Sequence, residues 1–296
     1  MENIKDIYNT IYKKCPQDGE TLYKLIKVMM HNKNISDKGN YAGVHKNILF
    51  AGNFGIGKTT MIRECAKAFN LPFHELDASL QYGIDLGFDE SFYEIINELR
   101  LENRDELLTG VVLIDNLDEV FLNNTQKLLG NYMKNRTMEV SDDNVFLDNI
   151  IYVGEFDIGN YLKKSSFNFN VKLSLDKIFS KKKRAAFVNN ETLKQYNKMI
   201  YSVFNSRDMW NMFAEHIIMP DLDKEAIRKI LEDSPMSEYQ EFLSQLDIDE
   251  FGGFTNKKVV DYVVSSVMNS PLKLNAVSTI LNDLYIDGKK HVKKPR

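Results

Sequence analysis

The sequence predicts a parallel α/β sheet followed by a small all-helical unit, and three observations predict it. Short apolar runs at 47–51, 71–76, 111–114 and 150–153 alternate with stretches of helical period. A glycine-rich turn joins the first of these runs to a helix. After residue 221 the apolar runs stop and only helical periods remain.

Taken in order, residues 3–14 carry Ile4, Ile7, Tyr8 and Ile11 on one helical face. Gly19 and Glu20 open a second helix with Leu22, Leu25, Ile26 and Met29 on one side, ending near Asn32. The polar stretch that follows reads as a loop. Residues 47–51 are a buried parallel strand by length and composition, and 58–69 a helix. A second strand at 71–76 precedes an amphipathic helix over 89–100, carrying Phe92, Ile95, Ile96 and Leu99. The strand at 111–114 precedes a helix over 124–134, and 150–153 is a fourth strand. Residues 160–190 lack clear periodicity, and Lys181 to Arg184 read there as a solvated loop or helix end. Helices are expected over 223–232, 236–245, 256–268 and 273–285, separated by Pro235 and the pair Gly252-Gly253. The expected units are N-terminal helices over 1–45, a large α/β domain over 46–221, a helical lid over 222–288 and a basic tail over 289–296.

Composition removes several function classes. The chain has 296 residues, 43% hydrophobic and 27% charged, ordinary values for a folded globular protein. A formal net charge of −4 provides no global positive field for nucleic acid. Two cysteines, Cys15 and Cys65, make neither a disulfide framework nor a zinc site and are expected as reduced thiols. No run approaches the ~18 apolar residues of a membrane span, and no secretory leader is evident, so a cytoplasmic protein is expected. The five histidines do not group at metal-ligand spacing.

The chemistry sits in Gly52-Asn53-Phe54-Gly55-Ile56-Gly57-Lys58-Thr59, which fits G-x-x-x-x-G-K-[ST] between a strand and a helix, with Thr60 following. Glycines let backbone N–H groups turn inward on phosphates, and the helix N-terminus adds its positive end. Lys58 reaches the terminal phosphates and Thr59 holds a metal ion, so the reading is a P-loop for a nucleoside triphosphate, taken as ATP with Mg²⁺. Asp115 ends the strand Val-Val-Leu-Ile downstream, the place for a metal-side carboxylate next to a P-loop. A hydrolytic site then needs a base, yet the next residue is Asn116, whose amide cannot accept the proton. Asp118, Glu119 and Glu155 are the carboxylates that could substitute, and Glu155 ends the next strand facing the phosphates.

The stretch NILFAGNFGIGKTTMIRECAKAFNLPFHELDAS, together with TGVVLIDNLDEVF, resembles the AAA+ ATPases, most closely the ClpX and HslU type of unfoldase. The resemblance implies a large α/β domain with a helical lid, nucleotide between them, and assembly into a ring, usually a hexamer. Lys58, Thr59 and Asp115 match the family's pattern and the Glu after Asp115 is replaced by Asn116. The trans-acting arginine position falls on Glu215, with Arg207 the nearest arginine. The lid arginine is replaced by Leu272 and Lys273, and Lys273 is expected to contact phosphate as a point charge. The pore segment carries Asp85 and Leu86 before Gly87, with Tyr82 upstream.

Three functions follow as expectations. The first is an ATPase that remodels a protein or nucleoprotein partner, with catalytic residues drawn from Lys58, Asp115, Asn116 and Glu155. The second is a regulatory or scaffold subunit that binds ATP without turning it over, alone or with an active ATPase partner. The third is a DNA-associated ATPase such as a replication or transposition loader, resting on the basic runs at 181–184 and 289–296.

Overall fold

The computed structural model describes residues 4–37, 46–79, 87–103, 108–122, 130, 133, 137–140, 143–157, 160, 213–233 and 256–291. Five parallel strands form the main sheet: β1 (Ile48–Gly52), β2 (Phe73–Asp77), β3 (Gly110–Asp115), β6 (Ile150–Asp157) and β7 (Glu215–Ile218), in the order β2-β3-β6-β1-β7. A hairpin of β4 (Thr137–Val140) and β5 (Asp143–Phe146) stands apart from it. The helices are α1 (Ile4–Lys14), α2 (Gly19–Asp37), α3 (Lys58–Ala68), α4 (Gly87–Asn103), α5 (Leu117–Leu122), α6 (Lys224–Asp233), α7 (Asn256–Asn269) and α8 (Val277–His291). A 3₁₀ turn, Lys273–Ala276, joins α7 to α8.

The four predicted strands are present, and the chain folds as an α/β P-loop architecture with helices flanking a parallel sheet. The strand order places β1 between β6 and β7, so the winding reverses at its carboxyl end. That is where open α/β sheets bind ligands. Strand side chains alternate between faces with a period of two. Phe50, Val111, Leu113, Ile151, Val153 and Ile217 share one buried cluster with α1, α2 and α3. Leu49, Ala51, Val112, Ile114, Tyr152 and Phe156 share the other with α4 and α5. The described helices after residue 221 belong to the first cluster through Ile227, Leu231, Val263 and Leu281, so the C-terminal helices and the N-terminal pair share one core.

Several elements depart from the sequence reading. The second helix runs on from Asn32 to Asp37. Its start is capped by Asp18, whose carboxylate accepts from the Thr21 N–H at 3.0 Å and from the Thr21 hydroxyl. Asn32 is buried and exchanges two hydrogen bonds with the backbone of Lys46, at 3.0 and 2.9 Å, which fixes the entry into β1. β7 was not predicted, because four residues, Glu-His-Ile-Ile, are too short to show a period. Its pairing with β1 supplies the order that the sequence lacks. The β4–β5 hairpin was missed for the same reason, each of its strands having only four residues. Of the helix expected at 124–134, only Gly130 and Met133 are described, and both are helical. The helix expected at 236–245 lies outside the described residues. Cys15 and Cys65 are free and buried, and burial pushes the Cys15 thiol up to about 12 and Cys65 up as well, so neither is a reactive thiolate. Among the described residues, no helix is long and apolar enough to cross a membrane.

Gly154 lies on β6 where a Cβ would stand 2.5 Å from Leu117 Cδ2 and 2.8 Å from the Phe213 ring. Phe213 is a fully buried side chain, so the ring has no open space to move into. Gly154→Ala is expected to destabilise the fold by about 1–3 kcal/mol through overpacking, measured as a lower urea midpoint at unchanged m-value.

Candidate phosphate-binding site

The loop between β1 and α3 is built around two left-handed glycines. Gly55 has φ 69° and Gly57 has φ 91°. At Gly55 a Cβ would run into the Leu272 carbonyl, and at Gly57 it would lie 2.6 Å from the Gln17 side-chain nitrogen. Conformation and space therefore both require glycine at these positions. Ile56 points the other way and is fully buried, anchoring the loop in the core.

The N-terminus of α3 faces a cavity of about 220 Å³ lined by Phe54, Gly55, Gly57, Lys58, Thr59, Thr60, Asp115, Asn116, Asp118, Glu155, Asp157 and Asn275. Lys58 is only 3% exposed. Its ammonium donates to the Asn53 carbonyl at 2.8 Å and the Gly52 carbonyl at 3.4 Å, and stands 3.2 Å from Glu155 Oε1. The Thr59 hydroxyl donates to Glu155 Oε2 at 2.7 Å. Asn53 sends its side chain outward to Asp221 Oδ1 at 2.6 Å, tying the loop to the segment before α6.

Sheet geometry explains why the carboxylates gather here. Asp77 pairs with Asp115 across β2 and β3, and Ile114 pairs with Gly154 across β3 and β6, so Asp115 lies level with Glu155. By the period of two, Asp77, Asp115 and Glu155 share the face carrying Val111, Leu113 and Val153, the face on which α3 packs. Burial, then the neighbouring Glu155 carboxylate, push Asp115 up to about 6, against the hydrogen bond it accepts from the Asn116 N–H at 2.8 Å. Asn116 has φ 54°, a left-handed conformation that Asn tolerates, and its side-chain amide donates to Asp77 Oδ1 at 2.9 Å. Burial pushes Asp77 up, but hydrogen bonds from Asn116 and Ser79 outweigh it and hold the carboxyl below its usual range.

Asp118 is almost fully buried in the first turn of α5. It accepts from the Asp157 N–H at 3.2 Å and the Asn160 amide at 2.6 Å, and Glu119 accepts from the same amide at 2.9 Å. Burial pushes Asp118 up. Both residues thus fasten the carboxyl end of β6, while Glu155 touches the P-loop side chains Lys58 and Thr59.

The structure places two further residues singled out in the sequence. Lys273 does not line the cavity. It has φ 50° in the 3₁₀ turn, and its ammonium donates to the Met268 carbonyl at the end of α7 at 3.0 Å. The residue of that turn that lines the cavity is Asn275. Glu215, assigned to the trans-acting position, begins β7 opposite Ile48, at the far end of the strands from the loop, and pairs with Lys46 at 2.6 Å. Arg207, Tyr82, Asp85, Leu86 and the run at 181–184 lie outside the described residues, as do residues 292–296 of the tail. The sequence reading missed Gln17, Asp77, Asp157 and Asn275. Asp77 alone had a signal, since it ends a predicted strand as Asp115 does.

The residues fit a phosphate chain with a metal. The cradle is one that any Cβ would fill, its one ammonium is buried and aimed inward, and hydroxyl and carboxylate oxygens of the kind that suit Mg²⁺ lie beside it. Among the described residues, no group of three or more His, Cys, Asp or Glu side chains is arranged to hold a metal alone. A metal here would share its shell with phosphate oxygens.

Residues 48–154, just over a third of the chain, match the family described as ATPase family associated with various cellular activities (AAA). No curated protein matches the chain. The matched span runs from β1 through the P-loop and Asp115 to Gly154 in β6, and implies ATP binding.

Because the Asp115 carboxyl titrates at about 6 in the fold against an ordinary 3.8, the folded protein holds the extra proton between those values. Stability of the free protein is therefore expected to fall as pH rises through that window. Asp115→Asn should flatten this slope, read by denaturant unfolding at intervals from pH 4 to 7.

Proposed function

We propose that this chain, an AAA ATPase-domain protein by its residues 48–154, uses the occupancy of its P-loop by Mg²⁺-bound ATP to set the position of its C-terminal helices, and so remodels a protein or nucleoprotein partner with slow turnover. One observation carries the coupling. The Leu274 N–H donates to the Gly55 carbonyl at 3.0 Å, so the turn between α7 and α8 is bonded directly to the P-loop. A ligand that binds one arrangement of the loop better than another then shifts the helices by that difference in affinity.

Lys58 and the α3 N-terminus would hold phosphate, and Thr59 and Asp115 the metal. Bound Mg²⁺ would supply charge neutralisation at the phosphate oxygens. The chain's own residues bind and orient, but Asn116 cannot take a proton from water. Its amide is instead engaged with Asp77. Proton abstraction by a positioned base contributes roughly 10²–10⁴-fold, and its loss at this position supports slow hydrolysis. Assembly into a ring, with itself or with an active ATPase, belongs to the same proposal and rests on the family alone.

The Asn116–Asp77 pair also favours a second reading, a subunit in which ATP stabilises an assembly without being consumed. Lys58→Ala is expected to weaken ATP binding by about 10- to 100-fold on either reading, since it removes a buried charged donor; an unchanged Kd in calorimetry would refute both. Turnover per site that rises with protein concentration supports the first reading, and tight binding with no turnover supports the second. A glutamate at position 116 alone would face Asp77 as a like charge. The double variant Asp77→Asn, Asn116→Glu should therefore raise turnover by about tenfold or more, while Asn116→Glu alone gains less in the same steady-state assay.

A further inference from the structure

We propose that Glu155 makes the phosphate site selective for nucleotide that already carries a divalent cation, a role that rests on the reading of Gly52–Thr59 as a triphosphate site. One carboxylate spans both groups assigned to the ligand. Glu155 Oε1 stands 3.2 Å from the Lys58 ammonium, and Oε2 accepts from the Thr59 hydroxyl at 2.7 Å. Water has little access to the pair, the Lys58 side chain being 2% exposed and that of Glu155 12%. Glu155 thus occupies, as an internal anion, the contacts that a phosphate group would make.

Glu155 cannot leave by moving its backbone. β6 is paired on both sides, Phe50 of β1 standing opposite Glu155 itself and Gly154 opposite Ile114 of β3. Only side-chain rotation is open to it, and the same face carries Asp115 one strand away. Among the described residues, Lys58 is the one cationic side chain lining the cavity, against Asp115, Asp118, Glu155 and Asp157. A phosphate arriving alone would share one ammonium with Glu155, in a space where screening by water and salt is weak. With a divalent cation on the phosphate, the Glu155 carboxylate faces positive charge and becomes a favourable neighbour, as carboxylate oxygens are for Mg²⁺. Asp115, level with Glu155 on the same face, would gain by the same cation. Both Glu155 oxygens are already engaged by Lys58 and Thr59, which favours this role over that of a base waiting for water.

The experiment is calorimetric titration of the full chain with ATP, in excess Mg²⁺ and in EDTA, for wild type and Glu155→Gln, with thermal melting of both proteins without nucleotide. Wild type is expected to lose about a hundredfold or more in affinity on chelation, and Glu155→Gln about tenfold or less, because its metal-free binding tightens. Without nucleotide Glu155→Gln should melt lower than wild type, since Lys58 keeps a neutral acceptor in place of its carboxylate. Equal dependence on Mg²⁺ in the two proteins overturns the proposal. Wild type binding metal-free ATP within tenfold of its Mg²⁺ affinity overturns it even if the variant does not fold. Wild type that fails to bind ATP in excess Mg²⁺ refutes the triphosphate reading itself.

Discussion

The pairing of the Lys58 ammonium with the Gly52 and Asn53 carbonyls and with Glu155 is the interaction on which the site depends. An ammonium this deeply buried costs several kcal/mol unless it is paired and hydrogen-bonded. The loop satisfies it from three directions, and each direction constrains a different part of the fold. The carbonyls require β1 to end at Gly52 and the chain to turn at once. The carboxylate requires β6 to lie beside β1 with Glu155 in register with Phe50. The position of the ammonium requires α3 to start at Lys58 itself, directly after the left-handed Gly57.

The same geometry concentrates negative charge. Three neighbouring parallel strands each present a carboxylate at one level of one face: Asp77, Asp115 and Glu155. Asn116 relieves one of them by donating to Asp77. Asp115 is left with the strongest push, from burial and from Glu155. The site is therefore poised for cations, and the chemistry it lacks is a free basic oxygen near Asn116. The proposed ATP binding and slow hydrolysis would in this sense be two results of one arrangement of charges.

How much was legible in the sequence follows from how local each constraint is. Gly55, Gly57, Lys58, Thr59 and Asp115 were legible because turn conformation, helix start and strand end are all decided within a few residues. Glu155 was legible only as the end of a strand; its engagement with Lys58 and Thr59 depends on register across β1, β6 and β3. Asp77 was legible only as the residue after a predicted strand, and β7 was not legible, since EHII is too short and mixed to declare a face. The course of the Lys273 side chain was not legible because spacing cannot show that a left-handed residue in a 3₁₀ turn sends its ammonium back to Met268. The place of Glu215 opposite Ile48 was likewise not legible, since only pairing with β1 puts it at the amino end of the sheet.

The bond from the Leu274 N–H to the Gly55 carbonyl joins two main-chain groups. No side chain contributes to it, so position 274 can drift in sequence while the linkage persists, whereas Gly55 is held as glycine by its own conformation. Of the replacements at position 274, proline alone removes the donor outright, since it has no N–H. A joint of this kind leaves no mark in a pattern of side chains. Its inheritance would show in backbone shape, and in the slow exchange of one amide hydrogen, where comparison of sequences shows nothing.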